Sequence, residues 1–217
     1  ASRQKSILNA ISHAKEQYLT PDEYKREHED SFRESKIADV YAAYQAQLKS
    51  SNALDFDDLL MKTVELFEHF PNVLEQWQNR FQYIMIDEYQ DSNGVQDAIF
   101  EALTVQRQNC FMVGDVKQSI YQFRLADPTI FLEKYEAYTD AEYAQPGQGR
   151  KVLLSSNFRS GGGVIEGANF VFEACMTETV GGIDYGEAEA LREGVPHIPL
   201  NEPEVELYGI RVQEDTY

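Results

Sequence analysis

The chain has 217 residues and carries 19 Lys+Arg against 37 Asp+Glu, a formal net charge of −18. Its 42% apolar and 12% aromatic content excludes a disordered tail, and its two cysteines exclude a disulfide framework and point to a reducing compartment. No apolar run reaches the roughly 18 residues of a membrane span and no signal-peptide pattern opens the chain, so a soluble, cytoplasmic protein without membrane contact is expected. Taken alone, −18 argues against a polyanion partner, because phosphate contacts need a basic footprint. The charge is uneven, however. It is net 0 over 1–50, −9 over 51–101, +1 over 102–160 and −10 over 161–217.

The first third reads as helices. Ile7, Leu8 and Ile11 form one apolar stripe, and Thr20-Pro21-Asp22-Glu23 has the form of an N-cap with proline in the first turn. Ile37, Val40, Tyr41, Tyr44 and Leu48 recur at helical spacing between Ser31 and Lys49. Leu59, Leu60, Val64 and Phe67 do the same between Asp55 and His69, and Pro71 opens a short helix with Val73, Leu74 and Trp77. The pattern then changes to short apolar runs at 81–86, 110–113, 151–154 and 205–208, which read as strands. Helical stretches at 95–104, 129–138 and 164–175 separate them, and 140–150 and 181–203 read as loops. Strands alternating with helices predict a parallel α/β sheet, whose ligands lie beyond the C-terminal ends of its strands. Cys110, Cys175 and Trp77 are expected to be buried, and the four histidines, which lack ligand spacing, to be at the surface.

Three segments carry chemistry at strand ends. Ile84-Met85-Ile86 delivers Asp87-Glu88-Tyr89-Gln90-Asp91, the form of a Walker B element. The first acid suits the shell of a Mg²⁺ ion on nucleotide phosphates, and the second suits the base that activates water. A capped helix start is the plainer reading of an isolated Asp-Glu. Met112-Val113-Gly114-Asp115 leads into Gln118, Tyr121, Phe123 and Arg124, where aromatics interleaved with basic residues suit stacking on unpaired bases. The plainer reading makes Tyr121 and Phe123 core. Leu153-Leu154-Ser155-Ser156-Asn157-Phe158-Arg159 places an arginine where it would meet a transferring phosphate, or else in a surface turn.

Together these strings resemble the superfamily 1 DNA helicases of the UvrD/RecB type. The residues that carry the resemblance are Leu54-Asp55-Phe56-Asp57-Asp58-Leu59, Asp87–Asp91, Gly114–Arg124 and Asn157-Phe158-Arg159-Ser160, and it extends from about Ser31 to Ile210. Val116–Tyr121, Phe123–Pro128 and Gly181–Tyr185 are most similar to AddA-type helicase–nucleases, whereas 52–91 reads closer to UvrD and PcrA. The resemblance implies a partial RecA-like parallel sheet of the P-loop NTPase class. A helical subdomain over 1–80 would precede a motor core over 81–160, and 161–217 would begin a second motor domain or a linker. It also implies roles. Asp87 holds Mg²⁺ through water, Glu88 is the base for ATP hydrolysis, Gln118 senses the γ-phosphate and Arg159 acts as an arginine finger. Tyr121 and Phe123 stack on single-stranded DNA, and Arg124 sits between the two sites. The implied cofactors are ATP and Mg²⁺, and the implied partners are single- and double-stranded DNA and a second, AddB-like subunit.

Two departures stand out. Gln122 occupies a position where the family usually has arginine, and Gly161-Gly162-Gly163 replaces its usual continuation after Ser160. In addition, the chain contains no Gly-x-x-x-x-Gly-Lys-[Ser/Thr] string. The expectation is an internal piece of a longer helicase that by itself hydrolyses ATP negligibly. The alternatives are a UvrD/PcrA-type repair helicase and a degenerate, non-catalytic module that binds DNA or a protein.

Overall fold

Residue 20 begins the clearest case of local sequence dictating structure. Helix α1 (Ser2–Glu16) ends before it, and α2 (Pro21–Glu27) starts at a capping box in which Thr20 and Glu23 satisfy each other's backbone N–H groups, at 3.3 and 2.9 Å. Ser31 caps α3 (Phe32–Ser50) through the Glu34 N–H. Asp55 caps α4 (Phe56–His69), with Asp58 returning a bond to the Asp55 N–H. Proline opens α5 (Pro71–Arg80). There follow strand β1 (Ile84–Ile86), a 3-10 turn at Tyr89–Asp91, α6 (Gly94–Thr104), strand β2 (Cys110–Met112), a 3-10 turn at Val116–Gln118 and α7 (Pro128–Ala137). The remainder holds β3 (Thr139–Asp140), β4 (Arg150–Lys151), β5 (Ser156–Asn157), α8 (Gly162–Cys175) and β6 (Arg192–Glu193). This computed structural model describes residues 2–104, 108–119, 126–177, 179–181, 183–196 and 205–209. The chain is thus mixed α/β, and no helix among the described residues is long and apolar enough to cross a membrane.

The described chain divides into two units, Ala1–Thr139 with Tyr143–Gly149, and Asp140–Glu142 with Arg150–Tyr217. In the first, α1, α2 and α3 enclose a core of Ile11, Ala14, Tyr24, Ile37, Ala38 and Tyr41. Helix α4 adds buried Met61, Val64 and Phe67. The predicted stripes are rotated slightly: Leu8, Val40 and Leu59 are exposed, because Ala38 and Tyr41 rather than Val40 meet the neighbouring helices. Trp77, expected in the core, is 38% exposed and stacks on Phe81 at 5.8 Å.

β1 and β2 pair in parallel, with Ile84 opposite Cys110, Met85 opposite Phe111 and Ile86 opposite Met112. One face of this pair is bare, with Met85 78% and Phe111 62% exposed. Residues 81–83, expected to extend the strand, lie outside it.

In the second unit β5 pairs in parallel with β6, and Asn169 of α8 ties the returning chain by bonds to Tyr185 Oη and to both backbone groups of Leu191. Three sequence expectations fail here. The run at 151–154 is a strand only at Lys151, and Val152, Leu153 and Leu154 are exposed. The strand forms two residues later, where the 192–193 segment supplies a ladder partner. Residues 205–208 pair with no strand among the described residues, and the expected loop 181–203 contains β6. Strand formation depends on a partner's backbone groups, which apolar content does not reveal. The cysteines also depart from expectation, with Cys110 half-buried and Cys175 exposed. Among the described residues the parallel strands come as separate pairs, not as one larger sheet.

Candidate nucleotide-hydrolysis site

The C-terminal ends of β1 and β2 are laced together by their backbones. The Val113 N–H donates to Ile86 O at 2.8 Å, and the Tyr89 N–H donates to Val113 O at 2.9 Å. Two strand ends and the two 3-10 turns that follow them therefore form one cluster. Asp87 and Glu88 emerge there, both exposed. Glu88 has φ 54° and ψ 40°, a left-handed conformation that costs a non-glycine residue about 1–2 kcal/mol. The Glu88 N–H donates to Asp87 Oδ1 at 3.0 Å across this turn.

Tyr89 anchors the turn from beneath. It is 1% exposed, packs between Phe100 and Phe131, and donates its hydroxyl to Asp97. Lys134 of α7 bridges Asp97 and Glu101 at 3.2 and 2.9 Å. Gln90, also 1% exposed, donates to Glu88 Oε2 at 2.8 Å and accepts the Asp115 N–H at 3.0 Å. Gly114 is compelled by this packing, since a Cβ there would lie 2.7 Å from Gln90 Oε1 and 2.9 Å from the Phe131 ring. Asp91 follows with its Oδ1 buried and unpartnered among the described residues. Burial, then the Glu88 carboxylate, pushes its pKa up against the opposing Gln90 amide.

The second turn is organised by Asp115, which accepts the Lys117 N–H, the Lys117 ammonium at 2.9 Å and the Gln118 amide at 3.0 Å. Burial pushes the Asp115 pKa up, but the Gln118 and Lys117 hydrogen bonds outweigh it and hold the carboxyl below its ordinary range. Gln118 itself is exposed.

Of the sequence-predicted site residues, Asp87, Glu88 and Gln118 are thus gathered at one sheet end. Arg159 lies in the second unit, exposed, in a turn where Asn157 Oδ1 accepts both the Arg159 and Ser160 N–H groups. Tyr121, Phe123 and Arg124 lie outside the described residues. Sequence reading assigned no role to Gln90 or Asp115. The only local signal for Gln90 is an amide among acids, and its partners are set by the pairing of β1 with β2. No group of three or more His, Cys, Asp or Glu side chains among the described residues is arranged to hold a metal. Mg²⁺ keeps several waters and takes oxygens from one or two carboxylates and from substrate phosphates, and the exposed Asp87 and Glu88 carboxylates are donors of that kind.

Residues 1–139 match the family described as the UvrD/REP helicase N-terminal domain. The chain is 38% identical over 192 residues to the exonuclease/helicase protein RexA of Streptococcus pneumoniae serotype 4, covering 86% of this chain and 15% of that protein. It is 43% identical over 160 residues to the A-subunit of the ATP-dependent helicase/nuclease of Streptococcus sanguinis, covering 74% and 13%. The protein of the same name in Alkaliphilus oremlandii is 40% identical over 165 residues, covering 76% and 13%. The chain therefore spans a small part of the length of the curated relatives it matches. A family model that matches well over half of the chain, and whose span takes in the Asp87–Asp91 and Gly114–Gln118 clusters, settles the classification: the chain belongs to the UvrD/REP helicase N-terminal domain family.

Proposed function

We propose that this chain is part of an ATP-dependent DNA helicase–nuclease of the AddA type, which couples ATP hydrolysis to movement along single-stranded DNA in double-strand break repair and recombination. The observation that carries the reading is the hydrogen-bonded cluster at the ends of β1 and β2, which brings Asp87, Glu88 and Gln118 together in a chain of this family. The β1–β2 pair is then a fragment of a RecA-like parallel sheet. Residues 1–80 form a helical subdomain, 81–160 the motor core, and 161–217 the start of a second motor domain or a linker.

In this reading Glu88, exposed at the strand end, accepts a proton from the attacking water. Asp87, with its exposed carboxylate, would hold a hydrated Mg²⁺, and that ion would neutralise charge on the nucleotide phosphates. The Gln118 amide is available to the γ-phosphate by leaving Asp115, an exchange of one acceptor for another. Arg159 stabilises charge on the transferring phosphoryl group, and Tyr121 and Phe123 stack on bases, with Arg124 between the sites. Because Gln118 and the aromatics share one short segment, a shift at the nucleotide is transmitted to the DNA platform. The acidic net charge assigns most DNA phosphate contacts to other parts of the assembly, which also includes an AddB-like subunit.

The test is Glu88→Gln in the full-length protein. DNA-stimulated ATP hydrolysis is expected to fall by about 10²–10⁴-fold, the usual contribution of a general base, with nucleotide binding retained. Undiminished hydrolysis rejects Glu88 as the base.

A further inference from the structure

Glu88 and Gln118 follow different strands, yet one buried side chain connects them. The Gln90 amide nitrogen donates to Glu88 Oε2 at 2.8 Å, and its oxygen accepts the Asp115 N–H at 3.0 Å. Asp115 in turn accepts the Gln118 amide at 3.0 Å. The chain Glu88–Gln90–Asp115–Gln118 is continuous. A second strap runs from Ser119 Oγ to Gln90 O at 3.4 Å. Gln90 has no freedom to leave, being 1% exposed and pressed against Gly114, where even a methyl group would collide with it.

The chemistry required at this position is narrow. Glu88 needs a donor and the Asp115 N–H needs an acceptor. A planar amide supplies both from one rigid group without adding charge beside a carboxylate. A glutamate would confront Glu88 and Asp91 with a third negative charge, and an apolar side chain would leave the Asp115 N–H unpaired. Glu88 is otherwise an exposed side chain with three rotatable bonds, so a fixed buried donor removes much of the conformational freedom that its carboxylate would have.

We propose that Gln90 is a positioning residue: its amide orients the Glu88 carboxylate and couples it to the turn that carries Gln118. The proposal rests on the reading of Glu88 as the base for ATP hydrolysis. Nucleotide affinity does not depend on Gln90, which is buried behind the exposed carboxylates.

The experiment uses the full-length protein with Gln90→Met, which keeps side-chain length and removes the amide's hydrogen bonds to Glu88, to Asp91 and to the Asp115 N–H. Steady-state DNA-stimulated hydrolysis should show kcat reduced by at least about tenfold, toward the roughly hundredfold cost of an ångström of misplacement. The KM for ATP should change by less than about threefold, the signature of an interaction made in the transition state. In a Glu88→Gln background, Gln90→Met should cause no further loss, because the group it positions is gone. Gln90→Asn withdraws the amide by one methylene and is the second variant; it should lower kcat in the same way while keeping a polar group in the core. An unchanged kcat in either folded variant beside an inactive Glu88→Gln overturns the proposal alone. Equal losses in both backgrounds, or failure of both variants to fold, also overturn it, by showing a structural role only. Full activity in Glu88→Gln itself overturns the base assignment, and this proposal with it.

Discussion

Lys15 offers the sharpest test of how the helical part is held together. Its side chain is fully buried, and its ammonium donates to Asp55 Oδ2 at 2.6 Å and Asp58 Oδ1 at 2.8 Å. The Tyr44 hydroxyl and the Gln45 amide take up further lone pairs of the same carboxylates, each at 3.0 Å. At an effective dielectric of about 20, each unit-charge pair at this separation attracts by about 6 kcal/mol. Desolvating three ions costs several kcal/mol per ion, so the intact cluster contributes little net stability. Breaking it is another matter. Lys15→Met keeps the packing of the stem but leaves Asp58, 1% exposed, as a buried carboxylate facing Asp55. The expected loss is about 3–5 kcal/mol, measured by urea unfolding of the chain followed by circular dichroism. Adding Asp55→Asn and Asp58→Asn removes the stranded charges and keeps a competent N-cap, so at least half of that loss should return. A loss below about 1 kcal/mol for Lys15→Met, or no recovery in the triple variant, refutes the reasoning.

Glu16 predicts the opposite pH trend from Asp55. Burial, with the Asp57 carboxylate adding to it, pushes the Glu16 pKa up to about 7, and its Oε2 has no hydrogen-bond partner among the described residues. The folded state therefore binds this proton more tightly, and the associated stability is complete below pH 4.5 and lost as pH rises through about 7. Because the carboxyl remains partly exposed, the effect is about 1 kcal/mol, and Glu16→Gln should abolish it; parallel stability–pH curves for the two proteins would contradict this. For Asp55, burial pushes the pKa up, but the Lys15 ammonium and the Asp58 N–H outweigh it and hold it low, so its contribution is present at neutral pH and lost as pH falls through the acid range below about 4. Tyr121→Ala and Phe123→Ala in the full-length protein should each weaken single-strand binding by about 1–3 kcal/mol, read by fluorescence titration at fixed salt, and unaltered affinity would remove them from the DNA platform. The bare Met85 and Phe111 face should make the isolated chain self-associate, and light scattering that finds only monomer across a concentration series would count against that.

What could be read from sequence was what is locally determined. Thr20, Ser31 and Asp55 cap helices within three residues of themselves, and Pro21 and Pro71 open theirs, so helix starts needed no tertiary information. The short apolar runs at 81–86 and 110–113 marked strands, and β1 and β2 form within them. Strands whose partners lie far along the chain were not legible. The 151–154 run is the more apolar segment, but 156–157 has the ladder partner.

Tertiary structure alone decided three matters. It buried Lys15 under Asp55 and Asp58, although a lysine in the last turn of a helix is ordinarily solvated. It left Trp77 and Cys175 exposed, because burial depends on which helix face finds a neighbour. Above all it set Gln90 between Glu88 and Asp115. The parallel pairing of Ile86 with Met112 brings together turns that begin at Asp87 and at Val113, and a hydrogen bond across that gap is a property of register, not of composition. The sequence by itself determined where the capped and proline-led helices begin and which acidic and amide residues follow the first two strands. Which of those residues touch was determined by packing and strand register, because contact between distant segments is settled only when the backbone ladder and the buried faces are satisfied together.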